Sequence, residues 1–358
     1  MAASLLRLEG LRKAAGGLHG LDLELAAGEC VALLGPAGSG KTAALRILAG
    51  QDTADAGSAT LRGEPLFRIP PDRRGFGLLV PPAALFRNRT VQENVAHPLI
   101  ARGVPAAEQP ARIARVLTLL GLDGFEGRKP PQLPPLQQLR LCLARAVVAE
   151  PAVLLLDDPL DGLDPAMRQR LGLEMRGLFR RLGLTVLLAT REAPEAMALA
   201  DRIIVLEDGA VVQVATPQAL YQTPATAFVA SLVGENNRLP GTVLALEDDM
   251  ARIRLDCGPE VEARVADAGG PGSRCIVAVR LEKVAVAAMS AEEMGEGALP
   301  AALRDQVFLG DHVRLLLEIG EGGMLVARRP PGTRMPRLGG PAAVAWDGNA
   351  AFAYRALR

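Results

Sequence analysis

Apolar residues run along this chain in two rhythms, and the change falls near residue 237. Before it, short unbroken apolar runs alternate with stretches of helical period. Residues 29–34 (ECVALL) predict a buried strand, and AALRILAG at 43–50 predicts a helix stopped by Gly50. Three helical stretches lie within residues 88–150. VLLLD at 153–157 and TVLLAT at 185–190 predict two more buried strands, separated by an amphipathic helix that starts at Pro165. A further helix is expected over EAPEAMALA, then a strand, a turn at Asp208-Gly209 and another strand. Strands alternating with helices imply a layered α/β domain. After 237 the helical period fades. Short strand-like runs (TVLAL, ARIRL, CIVAVRL, VRLLLEI, MLVARR, AAVAW) alternate with Gly/Pro turns. Leu239-Pro240 returns as Leu299-Pro300, and Gly269-Gly270-Pro271 as Gly339-Gly340-Pro341. Two copies of a small β-unit are expected, packed together because neither buries much alone.

Composition narrows the classes. With 358 residues, 49% hydrophobic and 22% charged, the chain is globular and too long for one domain of ~100–200 residues. Forty basic residues balance forty acidic ones, so no basic surplus points to nucleic acid. No apolar run reaches the ~18 residues of a membrane span. The first residues lack a signal-peptide core, which predicts a cytosolic protein. Cys30 and Cys142 sit in apolar runs and read as core, and the four cysteines form no ligand pattern. There are only three histidines, and none lies between His97 and His312.

The chemistry begins between the first buried strand and its helix. Gly35-Pro36-Ala37-Gly38-Ser39-Gly40-Lys41-Thr42 fits G-x-x-x-x-G-K-[ST]. Glycines let backbone N–H groups converge on phosphate oxygens, and the helix N-terminus adds its dipole. Lys41 is placed to reach the β- and γ-phosphates, and the Thr42 hydroxyl to ligate Mg²⁺. Asp157 closes the run VLLLD and would face the same ion from the end of a strand.

The interval between Lys41 and Asp157 holds the helical stretch 88–150. With Ala84-Leu85-Phe86, Gln92-Glu93-Asn94-Val95, Leu143-Ala144-Arg145-Ala146, Ala200-Asp201-Arg202-Ile203 and Gly234-Glu235-Asn236-Asn237-Arg238, the chain resembles the ATP-binding subunits of ABC importers. The resemblance implies a P-loop NTPase domain over 1–237 with a helical subdomain at about 88–150. It also implies a small, duplicated, OB-like all-β domain over 238–358, as in importers for polyamines, iron(III), sulfate or sugars. Glu235-Asn236-Asn237 leans toward the polyamine branch. ATP and Mg²⁺ are the implied cofactors. The implied partners are membrane-embedded permease subunits, a second ATP-binding subunit in a homodimer or heterodimer, and indirectly a periplasmic solute-binding protein. The implied location is the inner face of the cell membrane.

The same resemblance exposes departures. The family's adenine-stacking ring falls where this chain has Lys13-Ala14-Ala15-Gly16, and no aromatic residue precedes Phe67. Stacking is worth ~1–3 kcal/mol, so affinity should drop roughly ten- to hundredfold. His19 is the one nearby ring, and a solvated turn is its plainer reading. The family glutamine that senses Mg²⁺ falls at Pro81, followed by Pro82. The signature Leu-Ser-Gly-Gly-Gln becomes Leu133-Pro134-Pro135-Leu136-Gln137. Prolines suit a first helical turn, so the helix should survive while its phosphate-binding end does not. The family's water-polarising glutamate is Asp158, one methylene shorter, and its histidine is Arg191. Arg191 reads equally as a γ-phosphate partner or a surface arginine. Asp164 fits the family's dimer-contact loop and also a helix N-cap before Pro165.

A positioned base is worth ~10²–10⁴ in rate and an oxyanion donor ~10²–10³, so hydrolysis should be at least ~10³-fold slowed. Three readings stay open at this point: an energy-coupling subunit with residual ATPase, a non-hydrolysing regulatory subunit on a permease, and a decayed paralogue.

Overall fold

The computed structural model describes residues 4–79, 85–288 and 297–356. Pro81 and Pro82, the residues at the glutamine position, lie outside them. By packing, the chain divides into Met1–Gln218 and Ala219–Arg358.

The first unit opens with β1 (Ser4–Lys13), β2 (Leu18–Ala26), β3 (Cys30–Leu34) and α1 (Lys41–Ala49). Then come β4 (Ala56–Leu61), β5 (Glu64–Pro65), β6 (Phe76–Leu79), α2 (Val91–Ala101), α3 (Gln109–Leu119) and α4 (Pro135–Val147). It continues through β7 (Val153–Asp157), α5 (Pro165–Leu182), β8 (Val186–Thr190), α6 (Ala193–Leu199), β9 (Arg202–Glu207) and β10 (Ala210–Ala215). Ten strands form one mixed sheet in the order β5-β4-β1-β2-β10-β9-β3-β8-β7-β6. Strands β9, β3, β8, β7 and β6 run parallel. All five residues of β3 and of β8 are buried, as expected where helices cover both faces of a parallel sheet. The carboxyl ends of such strands are where α/β folds place their sites.

The three helices between β6 and β7 match the helical stretches read from sequence. Helix α2 starts with a reciprocal cap: the Glu93 amide donates to Thr90 and the Thr90 amide to Glu93. Asn94, fully buried, ties the preceding turn. Its Nδ2 donates to the carbonyls of Phe86, Arg89 and Thr90, and its Oδ1 accepts from the Phe86 amide.

The second unit contains α7 (Pro217–Gln222) from its third residue, α8 (Ala227–Leu232), β11 (Asn236–Glu247), β12 (Met250–Leu255), β13 (Glu260–Val265) and β14 (Arg274–Arg280). It ends with β15 (Ala285–Ala287), β16 (Leu299–Phe308), β17 (Val313–Ile319), β18 (Gly323–Arg329), β19 (Pro341–Ala345) and β20 (Ala351–Arg355). One set closes as a barrel, β11-β12-β13-β20-β14, and the other is the sheet β15-β19-β16-β17-β18. The two share a plan. A meander of three strands (β11–β13, β16–β18) is followed by a strand that pairs back onto the first (β14 on β11, β19 on β16). The repeated Leu-Pro pairs sit in β11 and β16, which occupy equivalent places. The fifth strands are exchanged: β15 follows β14 but pairs with β19, while β20 follows β19 but pairs with β14.

The packing division falls earlier than the boundary at 237 read from sequence. The reason is that the segment 219–236 is bound to the β-domain. Arg280 donates to the carbonyls of Ala230 and Tyr221, and the buried Tyr354 hydroxyl donates to the Pro224 carbonyl.

Candidate active site

The loop 35–42 joins β3 to α1. Gly40 caps the helix at φ +89°, a left-handed conformation that favours glycine. The Lys41 side chain turns back into its own loop. Its Nζ donates to the Gly35 carbonyl (2.8 Å), the Pro36 carbonyl (2.7 Å) and Ser39 Oγ (3.1 Å). Burial pulls the Lys41 pKa below its usual value, against the opposing pull of Asp158 and Asp157. A further negative charge near the loop would favour the charged ammonium.

Thr42 Oγ1 donates to Asp157 Oδ1 at 2.9 Å, which brings the ends of α1 and β7 together. Burial, the largest effect, raises the Asp157 pKa, and the Thr42 hydrogen bond opposes it. A hydroxyl beside a half-buried carboxylate, at the mouth of a phosphate loop, is a hard-oxygen pair of the kind Mg²⁺ takes together with phosphate oxygens.

Asp158 follows at φ +42°, with its amide donating to the Ala189 carbonyl of β8. Its carboxylate is already engaged. Oδ1 accepts from the Arg191 amide at 3.3 Å, and the Arg191 guanidinium lies 3.8 Å from Oδ2. That guanidinium also approaches Asp161 at 3.5 Å. Asp158 is thus held by the Arg191 backbone amide and paired with its guanidinium.

The turn 13–17 lies against the phosphate loop: a Cβ on Gly17 would stand 2.4 Å from the Gly38 carbonyl oxygen. Lys13 reaches the Thr53 carbonyl and Asp52, and the Ala14 amide donates to Asp55. Ala14 and Ala15 are exposed and offer no ring. His19 is exposed on β2 opposite Arg12, and its amide donates to the Gly209 carbonyl.

Helix α4 starts at Pro135 with Pro134 as its cap, and no side chain caps it. Pro134 and Pro135 have no N–H, so two of the four free donors of an ordinary helix start are missing and the amides of Leu136 and Gln137 remain. The Gln138 amide makes the first helical bond, to the Pro134 carbonyl. Asp164 caps α5, accepting from the Met167 amide at 2.9 Å.

Residues 18–161 match the ABC transporter family, and residues 277–353 match the TOBE domain. A spermidine/putrescine import ATP-binding protein, PotA, of Rubrobacter xylanophilus is 38% identical over 349 residues, covering 96% of this chain and 91% of that protein. This chain belongs to the ABC transporter ATP-binding proteins. The PotA protein of Escherichia coli O1:K1 / APEC is 36% identical over 326 residues, covering 90% and 86% of the two chains. Among solved structures, the dimeric ABC transporter cassette MJ0796 aligns with a TM-score of 0.52 at 28% identity, over 59% of this chain and 98% of that one. The cbiO1 protein of Clostridium perfringens, at 23% identity and a TM-score of 0.55, shares the fold over 61% of this chain and 90% of its own. No helix among the described residues is long and apolar enough to cross a membrane.

Sequence reading passed over two carboxylates near the turn that carries Arg191. Asp161, the partner of Arg191, reads in sequence only as the first residue of Asp161-Gly162-Leu163-Asp164, the stretch that resembles the dimer-contact loop. Glu195 was also missed: it is 4% exposed and accepts from Thr190 Oγ1 at 2.6 Å. Its signal was a lone carboxylate in the first turn of a short, otherwise apolar helix.

Proposed function

We propose that this chain is the nucleotide-binding, energy-coupling subunit of an ABC import system for polyamines of the spermidine/putrescine type, and that it hydrolyses ATP slowly. The carrying observation is the loop 35–42 with Lys41 inside it and the Thr42–Asp157 pair at its mouth. The full-length likeness to spermidine/putrescine import proteins supports the solute class. In this reading Gly35 to Thr42 cradle the ATP phosphates, and Thr42 and Asp157 hold Mg²⁺. The subunit works at the inner face of the membrane with permease subunits and a second ATP-binding subunit, identical or different. A periplasmic solute-binding protein acts through the permease.

Slow hydrolysis rests on chemistry near Asp158 and α4. A carboxylate that already accepts from Arg191 has fewer lone pairs for water, and Pro134 and Pro135 bring no donor to a γ-phosphate. These observations also favour a second reading, a regulatory subunit that binds nucleotide without turnover. Titration with a fluorescent ATP analogue tests the common part: binding is expected, with GTP competing about as well as ATP. Equal binding by the Lys41→Ala variant would remove the assignment. Steady-state phosphate release at ~1 s⁻¹ or faster, the ordinary enzyme range, would overturn slow hydrolysis.

A further inference from the structure

Behind the Asp158–Arg191 pair lies a buried carboxyl group that the chemistry above does not use. Glu195 is 4% exposed, in the first turn of α6. One oxygen, Oε2, accepts from the Thr190 hydroxyl at 2.6 Å, and the other, Oε1, is buried with no hydrogen-bond partner. The Thr190 hydroxyl in turn accepts from the Glu192 amide at 3.1 Å. Between Thr190 and Glu192 stands Arg191, whose amide and guanidinium both address Asp158. A continuous path of bonded groups thus runs from Glu195 through Thr190 and the Arg191 backbone to the mouth of the phosphate loop.

An ionised carboxylate in such a place needs several donors, whereas a neutral carboxyl needs few. One strong bond and one orphaned oxygen match the neutral form. Three charged neighbours face it. Asp158 after β7 and Glu192 in the turn disfavour its ionisation, and Arg168 of α5 favours it. The terminal nitrogens of Arg168 are engaged elsewhere, with the Glu192 carboxylate at 2.9 Å and the Leu163 carbonyl at 3.2 Å, while its Nε is buried without a hydrogen-bond partner. Burial dominates these effects and lifts the Glu195 pKa to about 7.

We propose that Glu195 is a positioning residue: through the Thr190 hydroxyl its carboxyl sets the turn that carries Arg191 against Asp158, and its gain or loss of a proton tunes nucleotide affinity. This rests on the reading of the loop 35–42 as a nucleotide site. Neutral Glu195 keeps the turn as described. Ionised Glu195 adds a negative charge behind the phosphate-binding face and draws the nearest donors, Thr190 and Arg168, toward itself. Both effects weaken the hold on an anion.

The test uses the full chain, with Glu195→Gln as the neutral isostere and Thr190→Val to cut the link. A fluorescent ATP analogue is titrated with each protein from pH 6 to 8.5. Wild-type affinity should fall by about threefold more than that of Glu195→Gln, the scale of one added charge in a partly screened site. In parallel, the Arg191 backbone amide is followed by NMR without nucleotide. It should shift with a midpoint near neutrality in the wild type, and stay still in both variants. Affinity curves that run parallel in wild type and Glu195→Gln would overturn the proposal. If no protein binds nucleotide at any pH, the nucleotide reading fails. The amide then decides: a shift lost in both variants sustains the link from Glu195 to Arg191, and the same behaviour in all three proteins refutes it.

Discussion

Asp158 shows how one residue's backbone limits its own repair. It sits at φ +42°, where aspartate is tolerated better than longer side chains. Asp158→Glu would supply the missing reach, but it costs up to about 1 kcal/mol of stability, visible in urea unfolding. Phosphate release should rise less than about tenfold, because Arg191 still holds the carboxylate. The exposed Ala15 offers a simpler gain. Ala15→Tyr places a ring beside the phosphate loop and should tighten ATP about tenfold in a fluorescence titration, the scale of one stacked base. Glu195 gives the pH dependence its sign. Its folded pKa is raised from 4.5 to about 7, so the folded state holds a proton that the unfolded state has released between those values. Stability from this group is present below about pH 4.5, falls as pH rises toward 7, and is lost above that. Glu195→Gln should therefore gain on the wild type by several degrees of Tm between pH 5 and pH 8.

At the scale of elements, α4 is a sound helix whose first two N–H donors are replaced by prolines. Pro134→Ser with Pro135→Gly and Leu136→Gly restores a hydroxyl and backbone N–H donors. Nucleotide-dependent dimerisation should appear in sedimentation before turnover does. Adding Asp158→Glu and Arg191→His should then raise turnover by more than the product of their separate effects, as for groups that act as a unit. Much of this level was legible in the sequence. Strands β3, β7 and β8 are short unbroken apolar runs, and the helices around them keep a 3.6-residue period. The N-terminal strands were not read, although Leu6, Leu8, Leu21, Leu23 and Leu25 are all buried. In β1 a register shift between Leu8 and Leu11, with Gly10 at φ +55°, breaks the alternation that marks a strand, whereas in β2 Leu21, Leu23 and Leu25 alternate plainly and the signal was there to be read. The phosphate loop was readable because its chemistry is local. The bonds of Arg191 to Asp158 and Asp161 were not, because they depend on β7 and β8 lying side by side.

For the molecule as a whole, the segment 219–358 has its own hydrophobic core, shared by the barrel and the second sheet. The two are stitched by Asn237, which is buried in β11. Its Nδ2 donates to the Val326 carbonyl, and its Oδ1 accepts from the Val326 amide of β18. Expressed alone, residues 219–358 should fold and melt in a single β-rich transition. Asn237→Ala should lower its stability by about 1–2 kcal/mol, since it leaves two part-buried backbone groups of Val326 without their partner.

The exchange of β15 and β20 bears on how such a domain can change over generations. Each β-unit finishes with a strand lent by the other, so deleting either copy takes an edge from the one that remains. Removing residues 297–356 would leave β14 without β20, and β15 without β19. The exposed strand edges would then invite pairing with other chains. Once a duplication has traded its final strands in this way, it cannot be undone by a simple genetic loss, and the two halves are inherited as one.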